Sequence, residues 1–112
     1  MTDAVTSAQP ADSPRTDPVV RVSTGALRGT REGGLDRFLG IPYAEPPAGP
    51  RRFTAPVPHE PWSGTRACMA FGNAAPQDPF VPAGFRATVP ESEDCLSLNV
   101  YTPSLDGERR PV

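Results

Sequence analysis

Few side chains in this sequence could do chemistry: one histidine, His59; two cysteines, Cys68 and Cys95; and a group of carboxylates, Glu91, Glu93 and Asp94. His59 lies between Pro58 and Glu60. As a general base it would need a hydroxyl or thiol within hydrogen-bond reach and a carboxylate to orient its ring. The sequence contains no Gly-x-Ser-x-Gly, the sharp strand-to-helix turn that presents a nucleophilic serine. The expectation for His59 is therefore a solvated loop side chain. Two distant cysteines and a lone histidine lack the spacing of a zinc site, and Gly33-Gly34 reads as a hairpin turn, not a phosphate cradle. No catalytic residue, metal or cofactor is expected from these residues. The carboxylates either form a solvated strand entry or pair with an arginine, whose flat fork matches a carboxylate.

The elements that would position these groups are mostly strands. Val20 and Val22 alternate with Arg21 and Ser23, Thr24-Gly25 offers a turn, and 26–31 continues as a second strand to make a hairpin. After the Glu32-Gly33-Gly34 turn, 35–41 reads as a third strand. From Pro42 to Pro61, prolines at 42, 46, 47, 50, 56, 58 and 61 remove ladder donors and fix φ, so this stretch reads as a stiff surface wrap. Phe53 and Trp62 are expected to pin the wrap by burying aromatic area. Residues 65–71 read as a short helical turn capped at Gly72, and 73–92 as a long irregular loop, a length that more often serves function than filler. Leu96, Leu98 and Val100 alternate with Ser97, Asn99 and Tyr101 until Pro103, the pattern of a strand with one core face. Asp106-Gly107 reads as a turn, and Pro111-Val112 as the first step of another strand.

Composition sets the limits. Sixteen prolines and ten glycines in 112 residues lie near the level where disorder begins. The formal net charge is −2 and every basic residue is an arginine spread along the chain, which gives no footprint for nucleic acid. No apolar run approaches the length of a membrane span. Residues 1–18, rich in Asp, Ser, Thr, Pro and Ala, have neither a basic start nor an apolar h-region. They read as a disordered N-terminal tail, and the expected location is the cytoplasm.

Two segments narrow the reading. Phe38-Leu39-Gly40-Ile41-Pro42-Tyr43-Ala44-Glu45-Pro46-Pro47 and Glu93-Asp94-Cys95-Leu96-Ser97-Leu98-Asn99-Val100-Tyr101-Thr102-Pro103 closely resemble the N-terminal motifs of the type-B carboxylesterase and cholinesterase family. Arg52-Phe53, Pro61-Trp62-Ser63-Gly64 and Pro76-Gln77 fall between them in the family's order. The resemblance covers about residues 19–112. It implies an α/β fold in which this stretch supplies the N-terminal strands of an α/β-hydrolase sheet, an incomplete domain that is itself mostly β and loop, ending before the oxyanion hole. It implies a serine esterase acting through an acyl-enzyme on a small-molecule carboxylic ester, with no nucleic-acid or membrane partner. Every catalytic residue would lie beyond Val112, so the fragment itself is expected to be catalytically incompetent.

The resemblance also reaches single positions. It implies an ion pair between Arg52 and Glu93, tying the proline wrap to the last strand. It implies that the loop bearing Phe80 and Phe85 borders the active-site gorge, which makes both rings candidate substrate contacts beside the reading that they simply pack. The family often joins its signature cysteine, here Cys95, to a cysteine just before the Pro-Gln step. That position is Ala75 in this chain, and Cys68 falls earlier. Cys68 and Cys95 could still pair, but two buried thiols in a reducing compartment are the expectation. Two other readings fit the same residues: a catalytically dead relative used for adhesion, and a small β-rich binding module.

Overall fold

A computed structural model describes residues 16–112, so the tail expected at 1–18 lies almost wholly outside the described residues. Among the described residues, six strands form two three-stranded sheets. In the first, β1 (Val19–Val22) pairs antiparallel with β2 (Gly25–Arg28) through the expected hairpin, and β5 (Thr65–Ala67) pairs parallel to β2. In the second, β4 (Leu35–Pro42) is the central strand, flanked by β3 (Thr30–Glu32) and by β6 (Ser97–Thr102), both antiparallel to it.

Two departures from the sequence reading have physical causes. The strand expected over 26–31 is broken at Gly29, whose N–H closes the β1–β2 ladder on the Pro18 carbonyl at 2.9 Å. A Cβ there would run into the Arg37 carbonyl and the Phe38 ring, and the residues after it pair with β4 in the other sheet. The helical turn expected over 65–71 is instead β5 and an extended continuation. Cys68 N–H donates to the Arg28 carbonyl at 2.7 Å, and the Cys68 carbonyl accepts from Leu39 N–H at 2.8 Å. Backbone groups satisfied by strands on both sides have no need of their own helical turn, and one isolated turn is costly to nucleate. This segment joins the two sheets, with Leu39 and Met69 forming a parallel bridge.

The core sits at that junction. Leu27, Phe38 and Cys68 are almost fully buried, with Val20, Ile41 and Trp62 packed on them. Asp36 is the buried charge among the described residues, and Arg31, opposite it across the β3–β4 hairpin, donates to its Oδ1 at 2.7 Å. The face expected from β6 is only partly filled: Leu98 and Val100 remain 42% and 40% exposed. Val100 borders an apolar cleft of about 180 Å³ with Val20, Val22, Leu27, Phe38 and Ile41. Residues 103–112 carry no further strand; Asp106 and Gly107 do form a turn, in which Asp106 Oδ1 accepts from Glu108 N–H at 3.0 Å.

The β4–β6 register slips between Phe38 and Ile41, and Gly40 occupies the slip with φ +69°. At such a bulge the backbone N–H loses its partner in the ladder. Here the side-chain Oδ1 of Asn99 accepts it at 2.9 Å, which explains an asparagine at that place in β6. A Cβ at Gly40 would stand 2.7 Å from the Ala70 carbonyl oxygen. Gly33, in the β3–β4 turn, has a similar φ of +61° but open space around it. Gly33→Ala should therefore cost only backbone strain, about 1 kcal/mol. Gly40→Ala adds a clash with backbone and should cost about 3 kcal/mol or more. Denaturant midpoints of the two variants, measured side by side, should differ in that order.

Candidate functional site

The proline wrap is held at two points. At its end, Trp62 donates its indole N–H to the Ala26 carbonyl at 3.0 Å and its backbone N–H to Thr24 at 2.9 Å, fastening the wrap to β2. The Arg66 guanidinium lies over the Trp62 ring, 5.3 Å from its centroid. In its middle, a short 3-10 turn, Gly49–Arg51, leads into Arg52, whose Nη1 donates to Glu93 Oε1. The wrap and the approach to β6 thus meet at this ion pair. Both partners are about half exposed, 53% and 48% of their side chains. A cleft of about 380 Å³ opens beside the pair, lined by Pro47, Arg52, Phe53, Pro76, Glu93 and Cys95.

Phe53 does not pin the wrap. It is fully exposed at the rim of that cleft, with a left-handed φ of 59°. With Trp62 already seated on β2, the turn at Arg52 points the phenyl ring outward, where its contact is the Arg52 guanidinium at 5.8 Å. His59 is likewise not a solvated side chain. Its Nδ1–H donates to the Glu60 carbonyl at 2.8 Å, Glu45 Oε2 stands 3.9 Å away, and its ring meets Trp62 edge-on at 5.7 Å. No hydroxyl or thiol among the described residues is hydrogen-bonded to it, so His59 serves as packing and a local tie. Among the described residues, no three His, Cys, Asp or Glu side chains converge as a metal site.

The 73–92 loop is closed at its base, where Ala74 N–H donates to Pro90 and Ser92 N–H to Ala74, both at 2.9 Å. A second tie sits just above. Glu91 Oε1 accepts from Gln77 N–H at 3.0 Å, and Glu91 Oε2 from Arg86 Nη2 at 2.9 Å. The Gln77 N–H, and after it the Arg86 guanidinium, hold the Glu91 carboxyl below its ordinary range. Sequence reasoning missed this tie, because Gln77, Arg86 and Glu91 follow no helical or strand period. Phe80 and Phe85 lie on the loop, 90% and 82% exposed. The structure brings neither ring to the Arg52–Glu93 cleft.

The two cysteines are free. Cys68 is buried between the sheets, and burial pushes its thiol pKa up, outweighing the lowering influence of Arg66. Cys95 is only half-buried, at the cleft wall, and does not share the burial expected of both.

The family model for the carboxylesterase family matches residues 16–112. Phenmedipham hydrolase of Pseudarthrobacter oxydans is 46% identical over 102 residues, covering 87% of this chain and 20% of that protein. Para-nitrobenzyl esterase of Bacillus subtilis (strain 168) is 37% identical over 98 residues, covering 87% of this chain and 20% of the esterase. Among solved structures, a PNB esterase matches with a TM-score of 0.72 at 37% identity, over 80% of this chain and 19% of the other. The Geobacillus stearothermophilus carboxylesterase EST55 at pH 6.8 matches with a TM-score of 0.67 at 38% identity, over 83% of this chain and 18% of the other. The strands described above are thus strands of an α/β-hydrolase sheet, and the chain spans about a fifth of the length of the curated relatives it matches.

Two measurements test the geometry of the site. An ion pair this exposed contributes little, so Arg52→Ala should lower stability by less than about 1 kcal/mol, and a double-mutant cycle with Glu93→Ala should give a coupling no larger. A thiol reagent at neutral pH should modify Cys95 well before Cys68, whose thiol is buried and its thiolate disfavoured. The two rates should become alike only in denaturant.

Proposed function

The chain belongs to the carboxylesterase family, and we propose that it forms the N-terminal part of a serine carboxylic ester hydrolase while lacking the catalytic residues itself. The observation that carries this reading is the family match over residues 16–112, together with a likeness in sequence over 87% of the chain and in backbone over 80% of it to proteins named as esterases. The family hydrolyses esters. The finer reading is attack on the ester carbonyl by a serine, an acyl-enzyme, and its release by water.

The residues of this chain have supporting roles in such a reaction. The sequence offers no nucleophile elbow, and its one histidine is engaged by Glu60 and packed on Trp62. Asn99 and Gly40 set the register of β4 against β6, and Arg52 with Glu93 fixes the wrap against the start of β6. In a hydrolase such ties hold the frame on which an oxyanion hole and a triad must be placed to within fractions of an ångström. Two free cysteines suit a reducing compartment, which supports a cytoplasmic enzyme acting on small-molecule esters.

A segment exchange tests the proposal. Residues 19–112 should replace the corresponding segment of Bacillus subtilis para-nitrobenzyl esterase and leave a chimera that hydrolyses a nitrophenyl ester. A chimera that folds, as shown by a cooperative thermal transition, yet has no activity would sink the hydrolase reading. The 112-residue chain alone should hydrolyse the same ester no faster than a heat-treated control; a steady rate above that control would refute its catalytic incompetence.

A further inference from the structure

We propose that Glu91 is the latch of the 73–92 loop, holding its two legs together and fixing where Phe80 and Phe85 stand, so that the loop opens when this carboxylate is lost. The proposal does not depend on ester hydrolysis. It starts from the loop's lack of other support. Between Ala75 and Pro90 the residues are exposed or at most half-buried, and their regular structure is one 3-10 turn, Ala83–Phe85. A stretch of that kind gains almost nothing from apolar burial to offset the entropy of ordering it. Its order must come from polar ties.

Most of those ties are local. Val81 N–H donates to Asp78 at 3.0 Å, Phe85 N–H to Pro82 at 2.9 Å, and Arg86 N–H to Ala83 at 3.2 Å. Asp78 Oδ1 accepts from Phe80 N–H at 2.8 Å, and the Asp78 carbonyl accepts from Arg86 Nη1 at 2.8 Å. These bonds shape the tip without joining it to the base. Glu91 makes that junction. It stands at the base, in the Ala74–Glu91 bridge, and its two oxygens reach one leg at Gln77 and the other at Arg86. Arg86 spreads its fork between Glu91 and the Asp78 carbonyl, so one guanidinium couples tip to latch. A carboxylate that accepts from both a backbone N–H and a guanidinium makes charge-assisted bonds, stronger than the neutral bonds elsewhere in the loop. Glutamine at this place would keep the shape, lose the charge, and leave one oxygen to serve two donors.

The sequence supplies a reporter. The chain has no lysine, and Arg86 is the one trypsin site between Arg66 and Arg109. The test is limited trypsin digestion of the whole chain, timed by mass spectrometry, against a synthetic peptide of residues 76–94 that gives the unconstrained cleavage rate. In the wild type the Arg86–Ala87 bond should be cut at least about tenfold more slowly than in the peptide, the scale of one net charge-assisted hydrogen bond. Glu91→Gln should bring it to within about twofold of the peptide carrying the same change, while cleavage at Arg28, Arg37 and Arg66 in the strands stays as in the wild type. Arg86→Lys keeps the charge and the cleavage site but loses the fork, and should fall between the two. The latch is refuted if the wild-type bond is already cut at the peptide rate or if Glu91→Gln leaves the rate unchanged. A rise at all strand sites together with Arg86 would also overturn it, because Glu91 would then support the whole fold and not the loop.

Discussion

The close crossing at Gly40 is the constraint on which the rest of the structure depends. Strand β4 pairs with β3 on one side and β6 on the other, and through Leu39 it also meets the segment that follows β5. That segment can approach so closely only because Gly40 has no side chain where the Ala70 carbonyl passes. The same residue makes the bulge that releases one N–H, and Asn99 accepts it. Three facts of the sequence therefore answer one requirement: a glycine in β4, an asparagine in β6, and a short strand after Trp62 that runs extended. Beside that crossing, Leu27, Phe38 and Cys68 pack together as the buried core.

Around that junction, charge sets geometry more than stability. The Arg52–Glu93 pair is half exposed, where salt and the entropy of long side chains leave little net gain. The Arg86–Glu91 pair is more covered and shares its carboxylate with a backbone N–H. What the two pairs do is choose one arrangement of wrap and loop. Asp36 is the contrast. Its carboxylate is nearly buried while Arg31 is half exposed, so losing the arginine would strand a desolvated charge. Arg110 with Asp106 returns to the surface pattern, a bidentate pair that holds the Asp106 carboxyl far below its ordinary range and tidies an exposed turn.

Strands whose pairing is local were legible in the sequence. The alternation of Val20 and Val22 and the turns at Thr24-Gly25 and Gly33-Gly34 mark β1 to β4, apart from the break at Gly29. Strand β6 is legible from Leu98 and Val100. Strand β5 was not, because its extended form is imposed by β2 and β4, which lie far from it in the chain and leave no periodic trace in 65–71. Phe53 shows the converse error: a large apolar residue beside a wrap suggests burial, yet the turn at Arg52 directs it to solvent. The Arg52–Glu93 pair followed from family resemblance, not from spacing. Glu91 carries no such signal, since its partners at 77 and 86 reach it only when the loop closes.

The pairing of β4 with β6 also imposes an order in time. Gly40 meets Asn99, 59 positions later in the chain. At a synthesis rate of about 5–20 residues per second, roughly 3–12 s separate the appearance of the two on a ribosome. During that interval the hairpins β1–β2 and β3–β4 can form at once, because their loops are short, while one edge of β4 stands without a neighbour. Fast local pairing followed by a slow closing step is the expected course for a sheet whose strands meet from distant parts of the chain. Pro42, which ends β4, and the prolines after it cannot donate to a passing strand, so they shorten the stretch of edge that waits.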